Sequence, residues 1–394
     1  MSRFLVMDVV FYGSSLNYDQ GSGNYQELKK ITRWDGRQYT LMSRYALRYS
    51  LLETGRKLSL WEVAEGEKLH RAGSGDNTVI QPATDLLLTG EILLYPEFDL
   101  FGYLITSTTP QNFRSAPAKL SHAISMTPFN YDALFNANLG MANRMRKVYG
   151  EMKPNPFTAE EHETFYLYSL VVDLDEVGTV DVFVTLGSEV ALGRDEEGNE
   201  VKMKIEDVVV KDGKARFILK KKKETRELVQ SGKVKIESFE KVNNKLVHIR
   251  YSLLPEEKKE RMEKLIKGIL NLKRSIKGRE EDLRPRLLVL GIYKDTSYQT
   301  FKDRIQLLDE YSEEEYDEIE EREEDGKNIV RIKHVVSKSR KPIFQVLGLP
   351  ENTAVDNLNE DGVLEIVNKL FATNGEKFEE VKVFKDSSVE VRLK

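Results

Sequence analysis

The sequence predicts an α+β fold, a mixed core carrying insertions, and three observations point to it. The run Phe4–Tyr12 is almost wholly apolar, with Leu5, Met7, Val9 and Phe11 on one face and Phe4, Val6, Asp8, Val10 and Tyr12 on the other, the pattern of a buried strand. Helical and strand patterns then interleave without the regular spacing that a series of parallel crossovers needs, which disfavours a doubly wound sheet. Beyond Gly178 the turn signals EEGNE and KDGK divide short alternating runs, and these read as a small antiparallel addition.

The elements follow in order. A glycine-rich loop, Gly13 to Gly23, comes after the first strand. A helix starts near Thr40 or Ser43, either able to cap it, and runs to about Glu53; Leu41, Tyr45, Tyr49 and Leu52 form its apolar stripe, and Arg44 and Arg48 sit one turn apart beside it. From Gly55 to Pro110 a GSGD turn at Gly73–Asp76 and a polar helix or hairpin lead into YPEFDLFGYLI. AKLSHAISM, Ala118–Met126, reads as a strand. Met126 to Glu163 has no single period and reads as an extended excursion, after which TFYLYSLVVD, Thr164–Asp173, is again a strand. Pro255 opens a charged helix to about Lys277, and RPRLLVLGIY is another buried strand. The acidic run from Asp309 is either a solvated helix or a disordered arm, and the helix DGVLEIVNKLF ends at Asn374 and Gly375.

A chain of 394 residues holds one large domain with insertions or two ordinary ones. No run approaches the roughly 20 apolar residues that cross a bilayer, and the N-terminus lacks the pattern of a secretory signal, so a cytoplasmic location and no membrane partner are expected. The absence of cysteine excludes disulfides, thiolate zinc and a cysteine nucleophile. The five histidines, at 70, 122, 162, 248 and 334, are too dispersed for a compact ligand motif; no metal and no cofactor are expected. The net charge of −5 conceals its distribution. Asp309 to Asp325 holds twelve acidic residues and one arginine, an excess of −11, and the rest of the chain carries −5 + 11 = +6. Two basic clusters stand out, Lys29 to Lys57 and KDGKARFILKKKKETR from Lys211 to Arg226, and such local clusters steer polyanions whatever the mean charge.

Enzymatic motifs are weak. GSGNYQ at Gly21 is half of a dinucleotide fingerprint with Gln26 at its sixth place, and no Walker sequence occurs. Asp8 with Asp19, or His122 with a carboxylate, are the only acid–base pairings the sequence offers, and His122 within an apolar strand reads rather as a hydrogen-bonded residue. Lys29, Lys30, Arg33, Arg37, Arg44 and Arg48 alternate with Trp34, Tyr39 and Tyr45, a combination of phosphate-seeking cations with rings able to stack on bases. A glycine loop leading into a helix N-terminus would add amide donors for phosphate. The cluster Lys220 to Lys223 reads as an exposed strand end or a secondary electrostatic site.

The order strand, LNYD, KK, TLMSRYALRYSL, followed by DLFGYL at Asp99, AKLSHAIS at Ala118 and TFYLYSLVVDL at Thr164, resembles the backbone subunit of CRISPR-Cas surveillance complexes, the Cas-seven group of the RAMP superfamily, in its Cst/DevR branch of type I-B systems. The resemblance covers residues 1–178; no aromatic octapeptide of RNA-recognition modules is present. It implies a ferredoxin-like palm related to those modules, with inserted fingers and a protruding thumb in a right-hand shape. Palm would comprise 1–54, 111–126 and 164–184, fingers 55–110 and thumb 127–163, followed by a small antiparallel insertion at 185–254 and, in 255–394, the palm's completion with C-terminal elements and the acidic segment 309–325.

In such a subunit several copies line up on one CRISPR RNA, and the protein holds backbone while base pairing with target DNA reads sequence. The RNA-binding residues implied are Asn17, Lys29, Lys30, Arg33, Arg37, Ser43, Arg44, Arg48, Ser121 and His122, and on the thumb Asn138, Met141, Asn143, Arg144 and Arg146, with Lys147 beside them. The partners implied are CRISPR RNA, the target DNA strand, further copies and other Cascade subunits: the large subunit, the five-prime-end cap subunit and the repeat-processing endoribonuclease. No catalytic residue is expected. An alternative is a RAMP-type endoribonuclease, with Asp132 as the one suggestive thumb carboxylate; a third reading is a regulatory or scaffolding protein without RNA.

Overall fold

The strand β1 (Arg3–Ser14) runs through the middle of the molecule because both of its faces are apolar. Leu5, Met7, Val9 and Phe11 face one core, and Val6 and Val10 face another, as a two-residue period demands. The computed structural model describes residues 2–73, 78–151, 155–194, 200–324, 327–372 and 377–394. Most of the GSGD and EEGNE turns, the helix end expected at Asn374 and Gly375, and Asp325 of the acidic run lie outside the described residues.

After β1 come β2 (Gln38–Met42), α1 (Arg44–Lys57), β3 (Ala118–Leu120), β4 (Ala123–Ser125), β5 (Glu163–Asp173), α2 (Pro255–Leu270) and β6 (Leu287–Lys294). β1 pairs antiparallel with β5 on one side, Asp8 opposite Ser169, and with β6 on the other. β5 pairs antiparallel with both β3 and β4, and β4 with β2. α2 therefore lies between two parallel strands, β5 and β6, that hold β1 between them, and the segment carrying β2 and α1 likewise joins β1 to β4, which run parallel on either side of β5. Beyond β6 the sheet continues through Phe378–Lys385 to Val355–Asn357.

Helices cover one face of this sheet. Leu47 and Leu51 of α1, Met262, Leu265 and Ile266 of α2, and Val363 and Ile366 of α3 (Glu360–Asn368) pack on the first face of β1, each such buried side chain contributing about 2 kcal/mol. The other face is covered by a small sheet of Ile305–Asp309, Ile343–Val346 and Glu390–Leu393, where Phe301, Phe344 and Val346 meet Val6, Val10 and Val289.

A second body of core joins two stretches that the sequence separates. Leu86, Leu87 and Leu88 of the helix Thr84–Thr89, with Ile92, Phe98 and Ile105, share one cluster with Val182, Ile205, Phe217 and Tyr251 from the antiparallel strands between Thr179 and Leu253. The Tyr251 hydroxyl donates to the Leu88 carbonyl at 2.9 Å. Beside this core, Asp99 of DLFGYL is buried between Arg114 at 2.8 Å and Arg261 of α2 at 3.0 Å, and accepts the Gly178 amide at 2.8 Å. That motif is a structural clasp.

Several expectations need correction. Ser43 caps α1, its hydroxyl accepting the Ala46 amide at 3.2 Å, but Tyr45 and Tyr49 of the expected stripe are 62% and 63% exposed. The buried side carries Leu47, Leu51, Thr54 and Gly55 instead, because Trp61 lies so close that a Cβ on Gly55 would sit 2.0 Å from its ring. The strand expected over Ala118–Met126 is broken into β3 and β4 at Ser121 and His122. α2 stops at Leu270, short of Lys277, because the Asn271 amide caps the Lys267 carbonyl and a hairpin, Lys273–Ile276 with Arg279–Asp282, turns at Lys277 and Gly278 in positive-φ geometry. The acidic run is neither helix nor disordered arm: Ser312–Glu324 is a strand paired along its length with Lys327–Ser339.

The excursion from Met126 to Glu163 is a hairpin, Ala133–Asn136 with Phe157–Glu160, carrying the helix Leu139–Tyr149, which buries none of its residues. Its base is held by a parallel pairing with Tyr25–Gln26. Among the described residues no helix is long and apolar enough to cross a membrane.

Candidate nucleic-acid interface

The break between β3 and β4 sets the site. At that break Ser121 exchanges bonds with β5, its amide donating to the Ser169 carbonyl and its hydroxyl accepting the Ser169 amide, both at 2.9 Å. His122 is thereby turned toward the start of α1, where its Nδ1 accepts the Arg44 amide at 2.9 Å. Nδ1 is therefore the unprotonated nitrogen, and Nε2 carries the proton as an outward donor. Burial, then the charges of Arg44, Lys302 and Lys29, hold the His122 pKa below its ordinary value. Three cations thus act on one neutral imidazole, and among the described residues no carboxylate is hydrogen-bonded or ion-paired to His122.

The cations line a cleft. Arg44 and Arg48 project from α1, Arg44 stacking on Tyr45 and Arg48 lying over Phe101 at 5.8 Å. With Lys119 and Leu120 of β3 these residues enclose about 340 Å³. Lys302 enters from the segment before Ile305–Asp309, close enough to Arg33 for the two charges to oppose each other. Asn17 ties the loop to the helix, its side-chain oxygen accepting the Ser43 amide at 3.0 Å, while Lys29 donates its amide to the Asn17 carbonyl at 2.8 Å. The Lys29 ammonium stands 3.6 Å from Asp19, an exposed and weak pair.

Asp8, on the face of β1 that carries Val6 and Val10, is fully buried. It accepts the Ser169 hydroxyl and, at 2.6 Å, the Phe301 amide, and burial pushes its pKa up to about 6 against the opposing pull of those bonds and of Lys302. Asp19 is on the exposed loop, so the two carboxylates do not form a working pair.

The structure thus brings together Asn17, Lys29, Ser43, Arg44, Arg48, Ser121 and His122, while Arg33 lies over Tyr39 with its charge reaching Lys302. Two basic residues are spent elsewhere. Lys30 is an ion pair at 2.5 Å with Glu160, which also accepts the Leu28 amide, so Lys30 anchors the base of the protruding hairpin. Arg37 is paired with Asp35 at 2.7 Å within its own turn. The glycine loop leads into short strands and not into α1, and at the start of α1 the Arg44 amide is taken by His122 and the Ala46 amide by Ser43. On the protruding helix, Asn138 is the N-cap, accepting the Met141 amide at 3.3 Å, while Met141, Asn143, Arg144, Arg146 and Lys147 face solvent in a separate patch.

Lys119, Phe101 and Lys302 were not singled out by sequence reasoning. Lys119 and Phe101 adjoin the blocks AKLSHAIS and DLFGYL, which pointed to their neighbourhood; Lys302 had no local signal. A second cleft, of about 620 Å³, opens at the base of the hairpin and is lined by Asp132 with Glu161, His162, Glu163 and Arg279. Asp132 is therefore not alone. His162 there is engaged on both nitrogens, Nδ1 with the Thr40 hydroxyl at 2.7 Å and Nε2 with that of Thr127 at 3.3 Å.

The family model described as the CRISPR-associated negative auto-regulator DevR/Csa2 matches residues 5–316. No curated protein matches the chain. Similar solved structures include a chain of a CRISPR RNA-guided surveillance complex, at 10% identity and TM-score 0.37 over 75% of this chain and 72% of that one. A chain of such a complex in a pre-nicking state has 9% identity and TM-score 0.39 over 75% and 80%. A chain of a type IV-B CRISPR complex has 15% identity and TM-score 0.26 over 43% and 72%.

Proposed function

The chain belongs to the CRISPR-associated DevR/Csa2 family, and from that premise we propose that it is a non-catalytic backbone subunit that binds CRISPR RNA. The observation that carries this reading is the cleft lined by Arg44, Arg48 and Lys119, next to His122, whose Nδ1 accepts the Arg44 amide and whose imidazole also feels the charges of Lys29 and Lys302. Cations at that spacing hold a sugar–phosphate chain without reading bases. The neutral His122 offers one further donor to a phosphate or a ribose hydroxyl.

The order of strands β6, β1, β5 and β4, with both helices on one face, supports reading the core as a ferredoxin-like palm. In this reading the hairpin with helix Leu139–Tyr149 is the thumb, laid over RNA held by the next copy, with Met141, 55% exposed, as its apolar wedge. Residues 55–110 of the second core are the fingers, packed on the antiparallel insertion 185–254. Copies line up on the guide in a cytoplasmic type I-B effector alongside the large subunit, the cap subunit and the repeat-processing endoribonuclease, and the guide pairs with target DNA.

The test is stoichiometric. Native mass spectrometry of protein mixed with a guide RNA several footprints long should show successive copies added to one RNA, and a protein that takes up no RNA at low salt would end the proposal. A second reading, endoribonuclease, is favoured by Asp132 in the cleft with Glu161 and Glu163. Cleavage of labelled complementary RNA with Mg²⁺ by the assembled complex, lost in Asp132→Ala, would establish it.

A further inference from the structure

Two features lie outside the cleft and the hairpin. One is the ribbon of Ser312–Glu324 and Lys327–Ser339, each strand thirteen residues and about 44 Å long at roughly 3.4 Å per residue. Tyr316, Ile319, Val330, Ile332 and Val336 of the ribbon are all exposed. A two-stranded ribbon covered by nothing is marginal in water. Its register puts Ile319 opposite Ile332, Glu321 opposite Val330 and Glu315 opposite Val336, so an apolar row shares one face with the carboxylates of Glu313, Glu315, Asp317 and Glu321, of which Lys338 meets Glu313 and His334 meets Asp317 and Glu315, leaving the face acidic on balance. On the other face Tyr316 meets Val335, and Glu318 meets Lys333 and Glu320 meets Arg331, two pairs of balanced charge. The first face is apolar and acidic, and a surface of that kind selects an apolar, basic partner.

The other feature has that chemistry. Lys220 to Lys223 close the hairpin between Lys214–Lys221 and Glu224–Val229 and are exposed. Among the described residues the ion pairs of this hairpin run through Arg216, to Asp212 and Glu227, and not through the four lysines. Lys220 shares its sheet face with Ile218, and that face continues across the pairing of Arg216 with Val229, which is 38% exposed.

We infer that the acidic, apolar face of the ribbon docks on the lysine hairpin of a second copy of this chain. The contact is heterologous, one surface meeting a different surface on its neighbour, and such a contact repeats into an open row. As a link between copies on a guide it rests on the function proposed above, although the docking itself needs no RNA.

The absence of cysteine makes the contact directly readable. Glu321→Cys in one tagged copy and Lys222→Cys in another, joined by a short bismaleimide without RNA, should give heterodimer several-fold above a control pair of Glu321→Cys with Lys264→Cys; equal yields overturn the inference. Reversing Glu315, Asp317 and Glu321 to lysine, or Lys220, Lys221 and Lys222 to glutamate, should raise the concentration for half-assembly on a long guide about tenfold, and mixing the two variants should restore it. Loss that mixing does not restore means that the ribbon serves another protein, and the inference fails. Binding of single copies to a one-footprint RNA should stay unchanged throughout. If the Glu321→Cys and Lys222→Cys pair cross-links while the wild type binds no RNA, the docking stands and the RNA reading fails; if the wild type assembles on RNA while that cysteine pair gives no cross-link above the control, the reverse holds.

Discussion

The strongest discriminating experiment separates cations that face a ligand from cations that hold the fold. If Arg33, Arg44, Arg48, Lys119 and Lys302 each meet one phosphate, log K should fall against log salt with a slope of about −3.5, from ~0.7 per phosphate on a single strand. Arg44→Ala and Arg48→Ala should each bring the slope to about −2.8 and weaken binding equally for every RNA sequence. Lys30 and Arg37 look equivalent in the sequence, but their charges are neutralised by Glu160 at 2.5 Å and Asp35 at 2.7 Å. Lys30→Ala alone would strand the buried Glu160 carboxylate and destabilise the protein by about 3 kcal/mol, so the fair comparison removes whole pairs: Lys30→Met with Glu160→Gln, and Arg37→Ala with Asp35→Ala. Both pair variants should keep the wild-type slope. The assay is fluorescence anisotropy on a homopolymeric RNA from about 50 to 300 mM salt, the range over which counterion release dominates. A pair variant that lowers the slope as far as Arg44→Ala would refute the assignment of the cleft.

Three further outcomes follow from the geometry. Asp99→Ala leaves the Arg114 and Arg261 guanidinium groups without their buried counter-charge, and urea denaturation should show a loss of about 3–5 kcal/mol with RNA contacts untouched. The Asp8 pKa is raised from 3.8 to about 6, so the folded state holds its proton more tightly than the unfolded chain; stability from this group is full below pH 4 and is lost as pH rises through 6, by about 3 kcal/mol, and a pH series should find that drop absent in Asp8→Asn. His122 has a depressed pKa, so its contribution is present above the ordinary histidine range and is lost as pH falls; nitrogen chemical shifts at neutral pH should show Nδ1 unprotonated, and a protonated Nδ1 would contradict the Arg44 bond.

How far the sequence could be read depended on whether the cause was local. Ser43 as a cap was legible because capping involves a few neighbouring residues. The buried face of α1 was not, because Tyr45 and Tyr49 score as apolar while the decisive contact is Trp61 against Gly55, and only the packed structure shows that approach. The acidic run, taken alone, reads as a solvated helix or a disordered arm. Its partner strand, KNIVRIKHVVSKS, is rich in β-branched residues and cations, and the cross-strand pairs Glu313 with Lys338, Asp317 with His334 and Glu318 with Lys333 show why it forms a ladder. That signal was present but lay in the segment after the acids.

Lys302 had no local signal because its place is set from the opposite end of the chain. Asp8 on β1 accepts the amide of Phe301, fixing the residue next to Lys302, and the same carboxylate accepts the Ser169 hydroxyl, whose backbone holds Ser121 beside His122. One buried acid therefore positions both a cation and the histidine donor of the cleft, which come from segments about 180 residues apart in sequence. An apolar side chain at position 8 would avoid the penalty of burying a carboxylate, yet it would leave the Phe301 amide and the Ser169 hydroxyl without an acceptor. Aligning the cleft thus requires, at this one position in an otherwise apolar strand, a residue that hydropathy alone would count as a fault.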